Sequence, residues 1–144
     1  MIRKNTIICK LIQLKKSKIS GFDMNEAVNK ELRIEEEVCP SCGLKGGCHP
    51  YGSYNRYIID FKDYSPSTQS IRITRVICEC GHTHAILSDP IVPYLHYSLF
   101  YIIIVLAVYS CHLMTVERLC EEYFISPSIL YRWLGVYNDK RREW

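Results

Sequence analysis

The stretch EVCPSCGLKGGCHPYGSYNRY, residues 37–57, decides how the fold is read. Cys39 and Cys42 stand two residues apart, and Gly43 follows at once. Thiolates at that spacing reach one metal ion, and the glycine permits the tight turn that aims backbone amides at sulfur. Alone, such a pair is a weak signal. Its counterpart is RVICECGHTHA, residues 75–85, where Cys78, Cys80 and Gly81 repeat the pattern with one residue between the cysteines. Two cysteine-glycine turns separated by strand-like sequence make a zinc ribbon.

The intervening sequence fits that architecture. YNRYIIDF (54–61) and SIRITRVI (70–77) are rich in tyrosine and isoleucine. The second alternates Ile71, Ile73 and Arg75 against Arg72, Thr74 and Val76, the period of a strand. KDYSPSTQ (62–69) supplies a turn-forming Ser-Pro. The expected product is a β-hairpin whose second strand delivers Cys78 to the metal. So small a β unit buries little core, and structural zinc contributes an apparent ~10–16 kcal/mol in finger peptides. The ribbon is therefore expected to unfold without zinc.

The ligand set has alternatives. Cys39, Cys42, Cys78 and Cys80 give four sulfurs, which suits structural Zn2+ with no open position. Cys48 or His49 could stand in for one of them, or build a second site with His82 and His84. A catalytic metal would need an open position and a nearby base, and no such set is marked. Cys9, Cys111 and Cys120 are isolated; the last two fall in helical sequence and read as small core residues.

Eight cysteines in a chain whose start lacks the pattern of a signal peptide point to a reducing cytoplasm. The apolar run after residue 5 is broken by Lys10 and Gln13. A hydrophobic share of 48% against 23% charged is globular rather than disordered. The net charge of +3 is too small to prove a nucleic-acid partner, but it is unevenly spread. Arg3, Lys4, Lys10, Lys15, Lys16 and Lys18 crowd the start with no acid, and Lys140, Arg141 and Arg142 close the chain. These ends read as solvated tails. Met24 opens a plausible start, so residues 1–23 are expected to be an upstream extension, and 1–35 a flexible segment. LFYIIIVLAVY (99–109) is intensely apolar but too short for the ~20 residues of a membrane span. It reads as a buried helix over about 96–110, after an extended connector, SDPIVPYLHYS (88–98).

Past that helix, Thr115 is placed to cap a second, with Glu117 in its first turn. Ser126 and Pro127 stand at the favoured cap and first positions of a third. In LCEEYFISPSILYRWL (119–134), Leu119, Tyr123, Ile125, Leu130 and Trp133 fall where two short helices crossing steeply need apolar contacts. A helix-turn-helix of this kind presents its second helix to the major groove. Ser126, Ser128, Tyr131 and Arg132 would then face DNA, with Arg132 on guanine or phosphate and the hydroxyls on phosphate. Phe124 occupies the turn position that usually holds glycine.

CPSCG, GSYNRY, IRITRVICECGHTHAILSDPIVPY and ISPSILYRWL together resemble the N-terminal zinc-ribbon and helix-turn-helix module of bacterial insertion-sequence transposases. They are closer still to an uncharacterised bacterial family that carries this module alone. The resemblance covers about residues 36–138 and implies double-stranded DNA as partner, with Cys39, Cys42, Cys78 and Cys80 holding a structural zinc. The Cys-x-Cys pair departs from the commoner Cys-x-x-Cys of transposase ribbons. The three catalytic carboxylates of such transposases lie on a separate, larger domain, for which this chain has no room.

The expectation is an α+β protein: residues 1–35 as an N-terminal segment, a zinc ribbon over 36–90, and a helix-turn-helix unit over 94–144. It is read as a DNA-binding protein, transposase-related or regulatory, rather than an enzyme or a membrane protein. Arg56, Arg72 and Arg75 on the ribbon strands are expected to add phosphate contacts. The alternative is an adaptor whose ribbon and apolar helix dock on a larger protein, or on a second copy, without touching DNA.

Overall fold

A computed structural model describes residues 20–63 and 65–141. The basic N-terminal run with Cys9, and Arg142 at the other end, lie outside the described residues, as does the side chain of Arg141. The order is helix α1 (Gly21–Glu31), a short 3-10 turn (Ile34–Glu36), strands β1 (Cys48–Lys62), β2 (Ser65–Cys78) and β3 (Thr83–Ile86), then helices α2 (Leu99–Ser110), α3 (Val116–Glu122) and α4 (Pro127–Arg141). The strands form one antiparallel sheet in the order β1-β2-β3, so the class is α+β. The chain divides into two units. One gathers Ser20–Asp60 and Thr68–Leu99; the other gathers Phe61–Ser67 and the chain from Phe100 onward.

In the first unit the sheet changes its buried face along its length. Ile71 and Ile73 are buried with Ile58 and Ile91. Val76 and Cys78 are buried with Cys39 and Cys48. In β2 the two pairs differ in parity, so they point to opposite faces of one strand. The alternation that places Arg75 with the isoleucines thus holds, but Val76 is core, not solvent face. In β1, Cys48 and Ile58 have the same parity yet join different clusters. One extra residue between them accounts for this, and Gly52 lies there with φ +84°, the conformation of a glycine bulge.

Residues 21–31, expected within a flexible segment, form α1. Ser20 caps α1, its hydroxyl accepting from the Asp23 amide. Asp60, buried in β1, accepts from the Gly21 amide. Asn25 and Asn29, one turn apart, both donate to the Arg72 carbonyl, at 2.9 and 3.0 Å. β3 pairs with β2 only over Thr74–Ile77. The two amides therefore satisfy a carbonyl just beyond the end of the ladder, where it would otherwise be a bare edge.

Two further expectations change. The hairpin reverses at Asp63, with φ +50°, while Ser65 and Pro66 already belong to β2. Aspartate tolerates the left-handed region, and proline is acceptable at a strand's beginning. The segment 88–98 is not extended. It turns at Ser88–Ile91 and again at Val92–Leu95, where the Leu95 amide reaches the Val92 carbonyl with Tyr94 at φ +62°. Pro93 followed by a positive φ is the pattern of a type II turn. The chain then returns, with a bridge between Ile91 and Ser98.

The second unit is built on α2, α3 and α4. Tyr101, Ile102, Ile104 and Val105 bury one face of α2, and no helix among the described residues is long and apolar enough to cross a membrane. Thr115 caps α3 by accepting from the Arg118 amide, and Ser126 caps α4 by accepting from Ile129. Leu119, Tyr123, Ile125, Leu130 and Trp133 are all buried, as their spacing predicts. Phe61, from the end of β1, stacks on Tyr101 with ring centroids 4.7 Å apart and meets Tyr123 edge-on at 6.0 Å. The hairpin tip thus belongs to the helical core.

Candidate functional site

Two turns bring four sulfurs together. In the first, the Gly43 amide donates to the Cys39 carbonyl at 2.8 Å and the Cys39 amide to Leu44 at 3.1 Å. In the second, the Gly81 amide donates to the Cys78 carbonyl at 2.9 Å and the Cys78 amide to His82 at 2.9 Å. The shorter Cys-x-Cys spacing is absorbed by closing the turn one residue earlier. Gly43 and Gly81 both take positive φ, 72° and 86°. The Glu79 amide donates to Gly47 at 2.9 Å and ties the second turn to the chain after the first. A Cβ at Gly47 would lie 2.4 Å from the tip of the Leu44 side chain, so the exposed leucine would have to swing aside to admit one.

The Sγ atoms of Cys39, Cys42, Cys78 and Cys80 all lie within 4.8 Å of one another. Cys39 to Cys80 is 3.7 Å, and Cys42 to Cys78 is 3.6 Å. Zinc-sulfur bonds of ~2.3 Å in a tetrahedron place sulfurs about 3.8 Å apart. Donor set and spacing therefore fit a metal ion held by four thiolates. Cys39 and Cys78 are buried, while Cys42 and Cys80 are at the surface.

The thiols differ in acidity. The Cys42 amide, assisted by that of Ser41, holds Cys39 down to about 6 against the opposition of burial. At Cys78 the Cys80 amide lowers the pKa, but burial and neighbouring thiols outweigh it and the net shift is upward. At Cys80 the His82 amide is likewise outweighed by burial and the Cys78 and Cys39 thiols. One sulfur is thus ready as thiolate at neutral pH, while two must lose protons to a metal.

The other candidates stand outside the four-sulfur set. Cys48 is buried against Cys39 and Cys78, and burial raises its pKa. His49 faces Glu79 at 3.7 Å. His82 Nδ1 is 3.4 Å from Cys80 Sγ. His84 Nδ1 is buried without a hydrogen-bond partner.

In the helical unit, Ser126, Ser128, Tyr131 and Arg132 are all exposed around the first turns of α4. Ser126 is committed to its cap. Phe124 takes φ +50° in the turn and is 75% exposed. The ribbon arginines are more engaged than the sequence suggests. Arg56 donates to the carbonyls of Val92 and Leu95 and so staples the second connector turn. Arg72 donates to Ser53 Oγ at 3.0 Å. Arg75 donates to Thr83 Oγ1 at 3.2 Å and lies over the Tyr51 ring, 5.4 Å from its centroid. That Tyr51 contact was not drawn from the sequence, although its signal, tyrosines recurring around a glycine in PYGSY, was present.

No curated protein and no solved structure matches the chain. Residues 39–133, from the first metal-site cysteine to the buried tryptophan of α4, match a family described as a domain of unknown function, DUF6431. That match spans well over half of the sequence, and the chain belongs to this family.

Proposed function

We propose that the protein is a DNA-binding module in which a structural Zn2+ on Cys39, Cys42, Cys78 and Cys80 holds the ribbon. The observation that carries the DNA reading is the α3-turn-α4 arrangement. Both helices are capped at the expected hydroxyls, their facing residues are buried, and the start of α4 is exposed. Arg132 and Ser128, one turn apart on α4, are the contacts on guanine and phosphate, and Tyr131 lies beside them. Arg72 and Arg75 add phosphate contacts from the ribbon. Arg56 has a structural task in the connector and is the weakest candidate. The module acts by binding rather than catalysis, in a transposase-related or regulatory setting. A reducing cytoplasm suits its thiols.

A zinc-loaded sample titrated into labelled duplex DNA at several salt concentrations tests this reading. Binding that falls steeply between about 50 and 200 mM salt, through counterion release, and that weakens in Arg132→Ala, supports it. Salt-indifferent behaviour favours the adaptor reading instead, for which the exposed Val136 and Tyr137 on α4 offer an apolar contact.

A further inference from the structure

We propose that the ribbon carries a stacking platform for unpaired nucleotides, made of Tyr51, Tyr54 and Arg75. The two tyrosines are 51% and 42% exposed. Three residues apart, they would face opposite ways on a regular strand. The bulge at Gly52 cancels that. Tyr54 shares parity with Ile58, and Arg75 with Ile71 and Ile73, and these isoleucines form one cluster. Tyr51 is on the same face, because Arg75 lies over its ring. Gly52 thus aligns two phenol rings and one guanidinium on a single face at the edge strand β1.

The chemistry fits a single-stranded nucleic acid. Bases of any sequence stack on aromatic rings, and a cation beside the rings meets the phosphate that links them. Two strand positions span roughly 6.6 Å, about the length of two stacked nucleotides at ~3.4 Å each. Arg75 is held over Tyr51 by its hydrogen bond to Thr83, so the cation is already placed. Glu79 is turned to His49 at 3.7 Å. The platform draws nothing from the helical unit, so it can fail while the duplex reading stands, and the reverse.

The test is fluorescence anisotropy of the zinc-loaded full chain with a labelled mixed-sequence oligodeoxynucleotide of about twelve nucleotides and its oligoribonucleotide counterpart. Tyr51→Leu and Tyr54→Leu, which keep bulk but remove the ring, are expected to weaken binding about tenfold each, within the range measured for lost base stacking. Tyr51→Phe retains binding. Tyr57→Leu is the internal control: Tyr57 is 67% exposed but adjoins Ile58, hence on the opposite face. It leaves binding unchanged. Preference for one sugar over the other identifies the strand as DNA or RNA. Wild-type protein that binds neither strand overturns the proposal, as does equal loss in Tyr51→Leu and Tyr57→Leu. Zinc content of each variant confirms an intact ribbon.

Discussion

The hydroxyl of Tyr101 in α2 donates to the main-chain carbonyl of Tyr123, the residue that closes α3, and the two rings meet edge to face at 6.1 Å. A buried side chain thus satisfies a carbonyl at a helix end, where no intrahelical partner is available. Removing only the hydroxyl, in Tyr101→Phe, leaves that carbonyl without this donor. The expected cost is ~1–3 kcal/mol, read as a lower urea midpoint at unchanged slope.

Zinc affinity should rise steeply with pH. Cys39, at about 6, is already thiolate at neutrality. Cys78 and Cys80 are shifted upward and keep their protons there. Metal binds the deprotonated sulfurs, so each proton that must leave competes with it, and raising the pH removes that competition. The logarithm of the apparent affinity should climb by at least two per pH unit from roughly pH 7 upward, flattening as the raised thiols titrate. Competition with a chelator at several pH values measures this. A flat profile would show that the four sulfurs are not the ligands.

Gly21→Ala should destabilise the first unit. A methyl group there lies 2.9 Å from the Asp60 carboxylate and 3.2 Å from the Ser98 side chain. Neither can retreat easily, because both are buried and Asp60 accepts from the Gly21 amide itself. Overpacking of this kind costs about 1–3 kcal/mol, visible as a lower thermal midpoint in the zinc-loaded protein.

Phe124→Gly should have the opposite sign. Phe124 holds φ +50° and is largely exposed, so the ring contributes little burial. The left-handed conformation costs a non-glycine residue about 1–2 kcal/mol. Glycine relieves it but adds roughly 0.5–1 kcal/mol of unfolded-state entropy. The variant should be as stable as the parent or up to about 1 kcal/mol more stable, by denaturant titration. A clear loss would mean that the ring makes a contact the fold needs.

The two cysteine turns, both helix caps and the buried stripe of α3 and α4 were legible because each depends on residues close in the chain. Cys39 and Cys42 with Gly43, or Ser126 with Pro127, carry their geometry in their own backbone preferences. The role of α1 was not legible. Asn25 and Asn29 act on Arg72, 47 and 43 residues away, and neither has any local reason to do so. The connector was misread because Tyr94 takes a turn conformation that glycine or asparagine would have announced.

By itself the sequence determined that two cysteine-glycine turns would form, that the ribbon strands would precede the apolar helix and the two helices after it, and where the last two helices would begin. These are local matters of backbone freedom, side-chain period and capping. The tertiary structure alone decided that Phe61 joins the helical core, that Val76 is buried on the face opposite Ile73, and that Tyr51 lies beneath Arg75. Each depends on which face a twisted, bulged strand presents at a given point. That is settled by what packs against it, not by the strand's own alternation.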